Sequence, residues 1–125
     1  MSKRAARWPK RVSVGGVPYR AEWRPHVEED GRGYWGMAEY GTRTISISQK
    51  DAGGAARSGD DMFVTLLHEM IHAVLEEAPL LRKRVKGGGG REAFVKTLAT
   101  ILGGALLDTG LVRLPEGGQA GGSSC

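Results

Sequence analysis

The sequence predicts an α+β domain in which a small antiparallel sheet of two hairpins packs on two principal helices. Two observations carry this prediction. Residues 11–24 and 34–48 alternate apolar and polar side chains around turn sequences, whereas residues 60–77 and 91–106 place apolar side chains at a helical period of about 3.6. With 125 residues, the chain has the length of one domain with a small core.

The strand signals lie in the first half of the chain. Apolar side chains alternate on both sides of Gly15-Gly16 within residues 11–24, which predicts a hairpin with a tight turn. Pro18 has no amide hydrogen to donate to a neighbouring strand, so we expect it at a sheet edge. A second hairpin is predicted over residues 34–48, with its turn at Gly41-Thr42.

Two segments near these hairpins lack a strand pattern. Residues 25–33 have the composition of a loop, and residues 51–59 are rich in glycine and alanine, as linkers are. The period then changes, and residues 60–77 carry the strongest helix signal of the chain. Ser58 or Asp60 is the expected N-cap, and Pro79 should end the helix.

A second helix is predicted over residues 91–106, after a basic loop that ends in glycines. Residues 1–9 form a basic, flexible tail in this interpretation, and residues 115–125 form a disordered tail rich in glycine and serine. Residues 10–114 therefore make up the single domain.

Composition limits the classes of protein to consider. Eighteen basic and fourteen acidic residues give a net charge of +4, with the basic residues concentrated in the N-terminal tail and in the loop before the second helix. These segments either bind nucleic acid or are solvated ends. No apolar run reaches the roughly 18 residues of a membrane span. A lone cysteine, Cys125, and the lack of a signal-peptide pattern favour a cytoplasmic location.

The first helix contains the motif that carries chemistry, His68-Glu69-Met70-Ile71-His72. A spacing of four residues puts His68 and His72 on one helix face, about 5–6 Å apart at Cβ. Two imidazoles at this separation can bind one zinc ion, and Glu69 is placed to reach a water on the open side of the metal. The pattern thus predicts two metal ligands and an adjacent general base.

A third ligand has to come from elsewhere in the chain. No third histidine follows the motif, and the downstream carboxylates include Glu76, Glu77 and Glu92. Glu92 opens the second helix and is the favoured ligand, because an antiparallel return would bring it to the histidines. Its alternative role is to complement the helix dipole. His26 is the other candidate ligand.

The arrangement resembles the small gluzincin-type metallopeptidases, and most closely the minimal ImmA/IrrE-like proteins of phages and bacteria. RTISIS, DMFVTLLHEMIHAVLEE and REAFVKTLATIL carry the resemblance, which covers roughly residues 34–106. It implies one zinc ion per chain, bound by His68, His72 and Glu92, with Glu69 as general base in peptide-bond hydrolysis. Lys96 departs from the family pattern, in which larger members often have an acidic residue at this position.

The expected substrate is a peptide or protein, aligned along the edge of the second hairpin. Tyr34, Tyr40 and His26 are the candidate donors to the oxygen that becomes negatively charged in the transition state. Two alternatives stay open: an interaction module for protein or DNA with structural zinc, and a SprT-like DNA-associated protease. Glu69 argues against structural zinc, and the missing third histidine argues against the SprT-like protease.

Overall fold

The structure of the protein, a computed structural model, describes residues 7–85 and 89–115. Within these ranges the chain forms six short strands followed by three helices. The strands are β1 (Arg11–Val14), β2 (Val17–Arg24), β3 (Val27–Glu29), β4 (Arg32–Tyr34), β5 (Gly36–Glu39) and β6 (Thr44–Ser48). The helices are α1 (Gly59–Glu77), α2 (Pro79–Arg84) and α3 (Gly89–Asp108). The predicted α+β class is confirmed.

Four strands form one sheet in the order β1-β2-β6-β5. β1 pairs with β2 and β5 pairs with β6, both antiparallel, so the two predicted hairpins are present. β2 and β6 run parallel, with Arg20 beside Thr44 and Arg24 beside Ser48. The sheet is therefore mixed rather than antiparallel throughout. Alternation of apolar residues could not reveal this, because it gives the same pattern for either direction of pairing.

The segment between the hairpins is more ordered than its composition predicts. β3 and β4 pair as a small separate hairpin, with Asp30 and Gly31 at positive φ in its turn. The expectation of a loop over residues 25–33 was wrong here, because three-residue strands are too short to produce a recognisable alternation. Pro18 pairs with Ser13 of β1, and the β6 ladder begins only at Arg20. That end of β2 thus tolerates the missing amide hydrogen, although β2 is an inner strand.

Helix α1 lies between the sheet and α3, and both of its contact faces are apolar. The core against the sheet consists of buried side chains from β1, β2, β6 and α1: Val14, Tyr19, Ile45, Ile47, Met62, Leu66 and Ala73. On the other side, Val95 and Ala99 of α3 are fully buried, and a Cβ at Gly103 would lie 3.0 Å from Val64 of α1. No helix in the described ranges is long and apolar enough to cross a membrane.

The ends of α1 follow the expected chemistry. The Ser58 hydroxyl accepts a hydrogen bond from the Asp61 amide at 3.1 Å and caps the helix, and α1 ends before Pro79. At the last turn, the buried Tyr19 hydroxyl donates to Glu77 at 2.8 Å, and Arg43 contacts the same carboxylate oxygen. Burial, together with this hydrogen bond to a carboxylate, raises the pKa of Tyr19 to about 12.

The region between the two long helices differs from the prediction in part. Residues 79–84 of the predicted basic loop form the short helix α2, in which Pro79 occupies the first turn, where a missing amide hydrogen costs nothing. α3 extends two residues beyond the predicted 91–106 at each end. Residues 86–88, which include part of the expected glycine loop, lie outside the described ranges.

The folded unit begins before residue 10. Trp8 packs against the core, its ring centroid lies 4.7 Å from that of Trp23, and the Trp23 indole donates to the Pro9 carbonyl at 2.8 Å. The expectation of a flexible tail over residues 1–9 is therefore wrong for Trp8 and Pro9, because the large apolar ring of Trp8 finds a partner on β2. Residues 1–6 and 116–125, the greater part of both predicted tails, lie outside the described ranges.

We expect a chain that starts at Lys10 to be less stable than one that starts at Arg7 by about 2 kcal/mol, because it loses the Trp8–Trp23 contact and one hydrogen bond. Chemical denaturation of the two shortened chains and the full chain measures this difference. Equal stability of all three would contradict a packing role for Trp8. The chain from Arg7 is the matched control.

Candidate metal centre

His68 and His72 lie on consecutive turns of α1, at the junction of this helix with α3. Their ring centroids are 5.0 Å apart, and each side chain is 21% exposed. Burial is the main influence on His68 and lowers its pKa, against the opposing effect of Glu92. The neutral imidazole favoured in this way is the form that binds a metal.

Glu92, in the first turn of α3, brings a carboxylate to both histidines. Its Oε2 lies 2.9 Å from His68 Nε2, and its Oε1 lies 3.0 Å from His72 Nε2. The ligand atoms of the three residues all lie within 4.8 Å of one another. They are therefore close enough to hold one metal ion.

The donor set fits zinc in chemistry and in size. Two imidazole nitrogens and one carboxylate oxygen are the protein ligands of one common type of catalytic zinc site, and bonds of about 2.0–2.1 Å put tetrahedral ligands roughly 3.3 Å apart. The contacts of Glu92 with the imidazoles are shorter than this by only a few tenths of an ångström. The three side chains thus lie close to the spacing of a tetrahedral zinc site.

The other two candidate carboxylates have different partners. Glu76 contacts Arg82 of α2 at 3.1 Å, and Glu77 accepts hydrogen bonds from Tyr19 and Arg43. The metal group found in the described ranges contains neither of them. This arrangement favours Glu92 over both as the third ligand.

Glu69 lies between α1 and the edge strand β5. The strand comes so close that a Cβ at Gly36 would lie 2.7 Å from the Thr65 side chain and 3.1 Å from Glu69 Cγ. Burial, with the negative charge of Glu92 as a second cause, raises the pKa of Glu69 to about 7. A carboxyl group with this pKa can take up and release a proton near neutral pH, as a general base must.

The three candidate transition-state donors occupy two different places. Tyr40 follows β5, and its pKa is raised by burial and then by the charges of Glu69 and Glu76, which places it beside the site. Tyr34 and His26 instead line an open pocket of about 630 Å³ beside the β3–β4 hairpin. The described lining of that pocket includes none of the three candidate metal ligands.

Arg57, just before α1, is a positioning residue that sequence analysis missed: it ties the start of the helix to the sheet. Its guanidinium donates to the carbonyls of Trp35 and Ser48 at 3.3 and 2.7 Å and to the Thr65 hydroxyl at 2.6 Å, and it lies 4.4 Å from the Trp35 ring centroid. Burial lowers its pKa. The sequence did contain a signal for Arg57: it is a cation directly before the N-cap Ser58, in a segment of otherwise small residues.

We expect protein purified with zinc available to contain about one zinc ion per chain by elemental analysis. Glu92→Ala should weaken zinc binding by more than ~100-fold, because losing a ligand costs more than losing a residue that only orients one. Glu76→Ala removes the same charge near α1 and is the matched control. Equal losses in the two variants would show that Glu92 is not a ligand.

The raised pKa of Glu69 predicts a pH-dependent stability of the metal-free protein. Between its ordinary value of 4.5 and about 7, the folded state holds a proton that the unfolded state releases, so stability falls as pH rises through this interval. In chelator-treated protein, Glu69→Gln should therefore raise Tm by a few degrees at about pH 8 and little at about pH 4. Glu29→Gln, at an exposed carboxylate, should change Tm at neither pH. A Glu69→Gln effect independent of pH would contradict the shift.

Comparison with known proteins returns no match: no family model, no curated protein and no solved structure matches this chain. The interpretation of the site therefore depends on its residues and their geometry.

Proposed function

We propose that this protein is a zinc-dependent peptidase, in which His68, His72 and Glu92 hold the metal and Glu69 is the general base. One observation carries the proposal: two histidines and a carboxylate converge on one point, and a desolvated glutamate lies next to them in the chain. The resemblance to gluzincin-type metallopeptidases implies the same roles for these four residues.

The chemistry follows from the positions of the side chains. Zinc, when bound, polarises the substrate carbonyl and makes a water molecule more acidic. Glu69 accepts the proton from that water and then donates it to the leaving amine. Its position beside the metal ligands suits both transfers, since the carboxyl group must gain and lose the proton within each turnover.

The free edge of β5 supports an extended peptide as the substrate. β5 is the last strand of the sheet and pairs only with β6 among the described strands, which leaves one side of its backbone open to hydrogen bonds. Gly36 brings this edge against Glu69. A peptide paired with β5 would therefore pass the general base.

Tyr40 is the favoured donor to the oxygen that gains negative charge. It lies at the far end of β5, and the direction of its pKa shift keeps its hydroxyl protonated at neutral pH. A neutral phenol can donate a hydrogen bond to the developing oxyanion. Tyr34 and His26 lie in the separate pocket, which makes them less suited to this role.

Exposure distinguishes a catalytic from a structural zinc site. A structural site is closed by four protein ligands, whereas a catalytic site leaves one position open. The Glu92 side chain is 57% exposed, and the described part of the chain supplies only three residues to the metal group. Both facts favour catalysis over the structural alternative.

The decisive variant is Glu69→Gln, which removes the proton acceptor but keeps the size of the side chain. We expect hydrolysis of an unfolded protein substrate to fall by about 10²–10⁴-fold, while zinc content stays near one ion per chain. Substrate cleavage and elemental analysis on the same samples measure both quantities.

The control is Glu29→Gln, an equivalent change at an exposed position of β3, which should keep full activity. Equal hydrolysis by wild type and Glu69→Gln would reject Glu69 as the base. Bound zinc without hydrolysis in either protein would instead support the structural alternative.

A further inference from the structure

One face of α3 exposes a continuous row of apolar side chains. Phe94, Leu98, Ile101 and Leu102 are 44%, 39%, 65% and 40% exposed, and Ala105 continues the row. Their spacing of four, three, one and three residues puts them side by side along about three turns of the helix. We call these five residues the apolar stripe.

Within the described ranges, the fold of the single chain leaves the apolar stripe uncovered. The residues of α3 that pack on α1 are Val95, Ala99 and Gly103, which form a neighbouring face of the helix. The residues outside the described ranges contain no leucine, isoleucine, valine or aromatic residue, and Met1 is their only large apolar side chain. An exposed apolar row of this kind typically marks an interaction surface.

We propose that the apolar stripe is the interface of a homodimer in which the α3 helices of two copies pack antiparallel. A two-fold axis between positions 99 and 100 brings Phe94 opposite the partner's Ala105, and Leu98 opposite the partner's Ile101. The bulkiest side chain of the stripe thus meets the smallest one. An isologous interface requires such self-complementarity, because the same patch serves both copies.

Charge along α3 supports the antiparallel direction. The same axis places Asp108, at the last residue of α3, opposite the first turn of the partner's α3. That turn carries the positive end of the helix dipole. A parallel arrangement would instead bring like dipole ends together, so the dipoles oppose it.

The proposed dimer leaves each metal centre outside the interface. Glu92 points to the histidines of α1, on the face of α3 that packs against that helix. The proposal therefore does not depend on the peptidase function. A two-helix contact is at the small end of specific interfaces, so we expect a dissociation constant in the micromolar range.

The test is sedimentation velocity of the full chain over about 1–300 μM. We expect wild type to change from monomer to dimer across this range. Ile101→Glu should weaken the dimer by at least ~30-fold, because it places a charge opposite the partner's Leu98. Ile101 is mostly exposed in the monomer, so the Ile101→Glu variant should have nearly the Tm of wild type at low protein concentration.

Thr100→Glu is the matched control, since it adds the same charge one residue earlier, at an exposed position about 100° away around the helix. It should leave the dimer intact. Asp108→Arg should weaken the dimer several-fold, because it puts a positive charge opposite the positive end of the partner's helix dipole. A monomer at every concentration, or a dimer that tolerates Ile101→Glu, would overturn the proposal. An Asp108→Arg dimer as tight as wild type would overturn the antiparallel pairing.

Discussion

Charged hydrogen bonds hold both ends of α1 to the sheet. The positions of His68, Glu69 and His72, which α1 carries, depend on them. At the first turn, Arg57 bonds the carbonyls of Trp35 and Ser48 as well as Thr65 of the helix. At the last turn, Glu77 accepts from Tyr19 and Arg43. Arg57 and Glu77 are shielded in part from water, where such bonds are stronger than at the surface, and Tyr19 is buried, whereas Arg43 is exposed. The helix cannot slide along the sheet without breaking one set.

Because α1 is fixed on the sheet, the Glu69 carboxyl group is held where it is largely removed from water. Gly36 permits β5 to approach α1 so closely that the Glu69 carboxyl group loses water, and α3 adds the negative charge of Glu92. Desolvation destabilises the charged form of Glu69 and therefore the metal-free fold. A cation bound between the histidines and Glu92 would relieve that cost. Groups whose pKa values are shifted in this way, at a cost in stability, are common at functional sites.

Sequence patterns predicted the parts that depend on local spacing. His68 and His72 follow from helix periodicity alone, and Ser58 follows from capping preference. Glu92 could be predicted as the third ligand because the segment before it is long enough for the second helix to return antiparallel to the first.

The parts that were missed depend on contacts between distant residues. The parallel pairing of β2 with β6, the multiple bonds of Arg57 and the packing of Trp8 on Trp23 leave no periodic trace in the chain. For the same reason the sequence could not distinguish Tyr40 from Tyr34, since both flank β5 but only Tyr40 lies beside Glu69.

The parallel β2–β6 ladder also affects the order of folding. Its first pair, Arg20 and Thr44, is 24 positions apart, so loop-closure entropy opposes it far more than it opposes either tight hairpin. His68 and His72 need only one helical turn to become neighbours, whereas Glu92 needs α3 docked on α1. We therefore expect a nascent chain to present a two-histidine site first, and to complete its ligand set only when the last helix arrives.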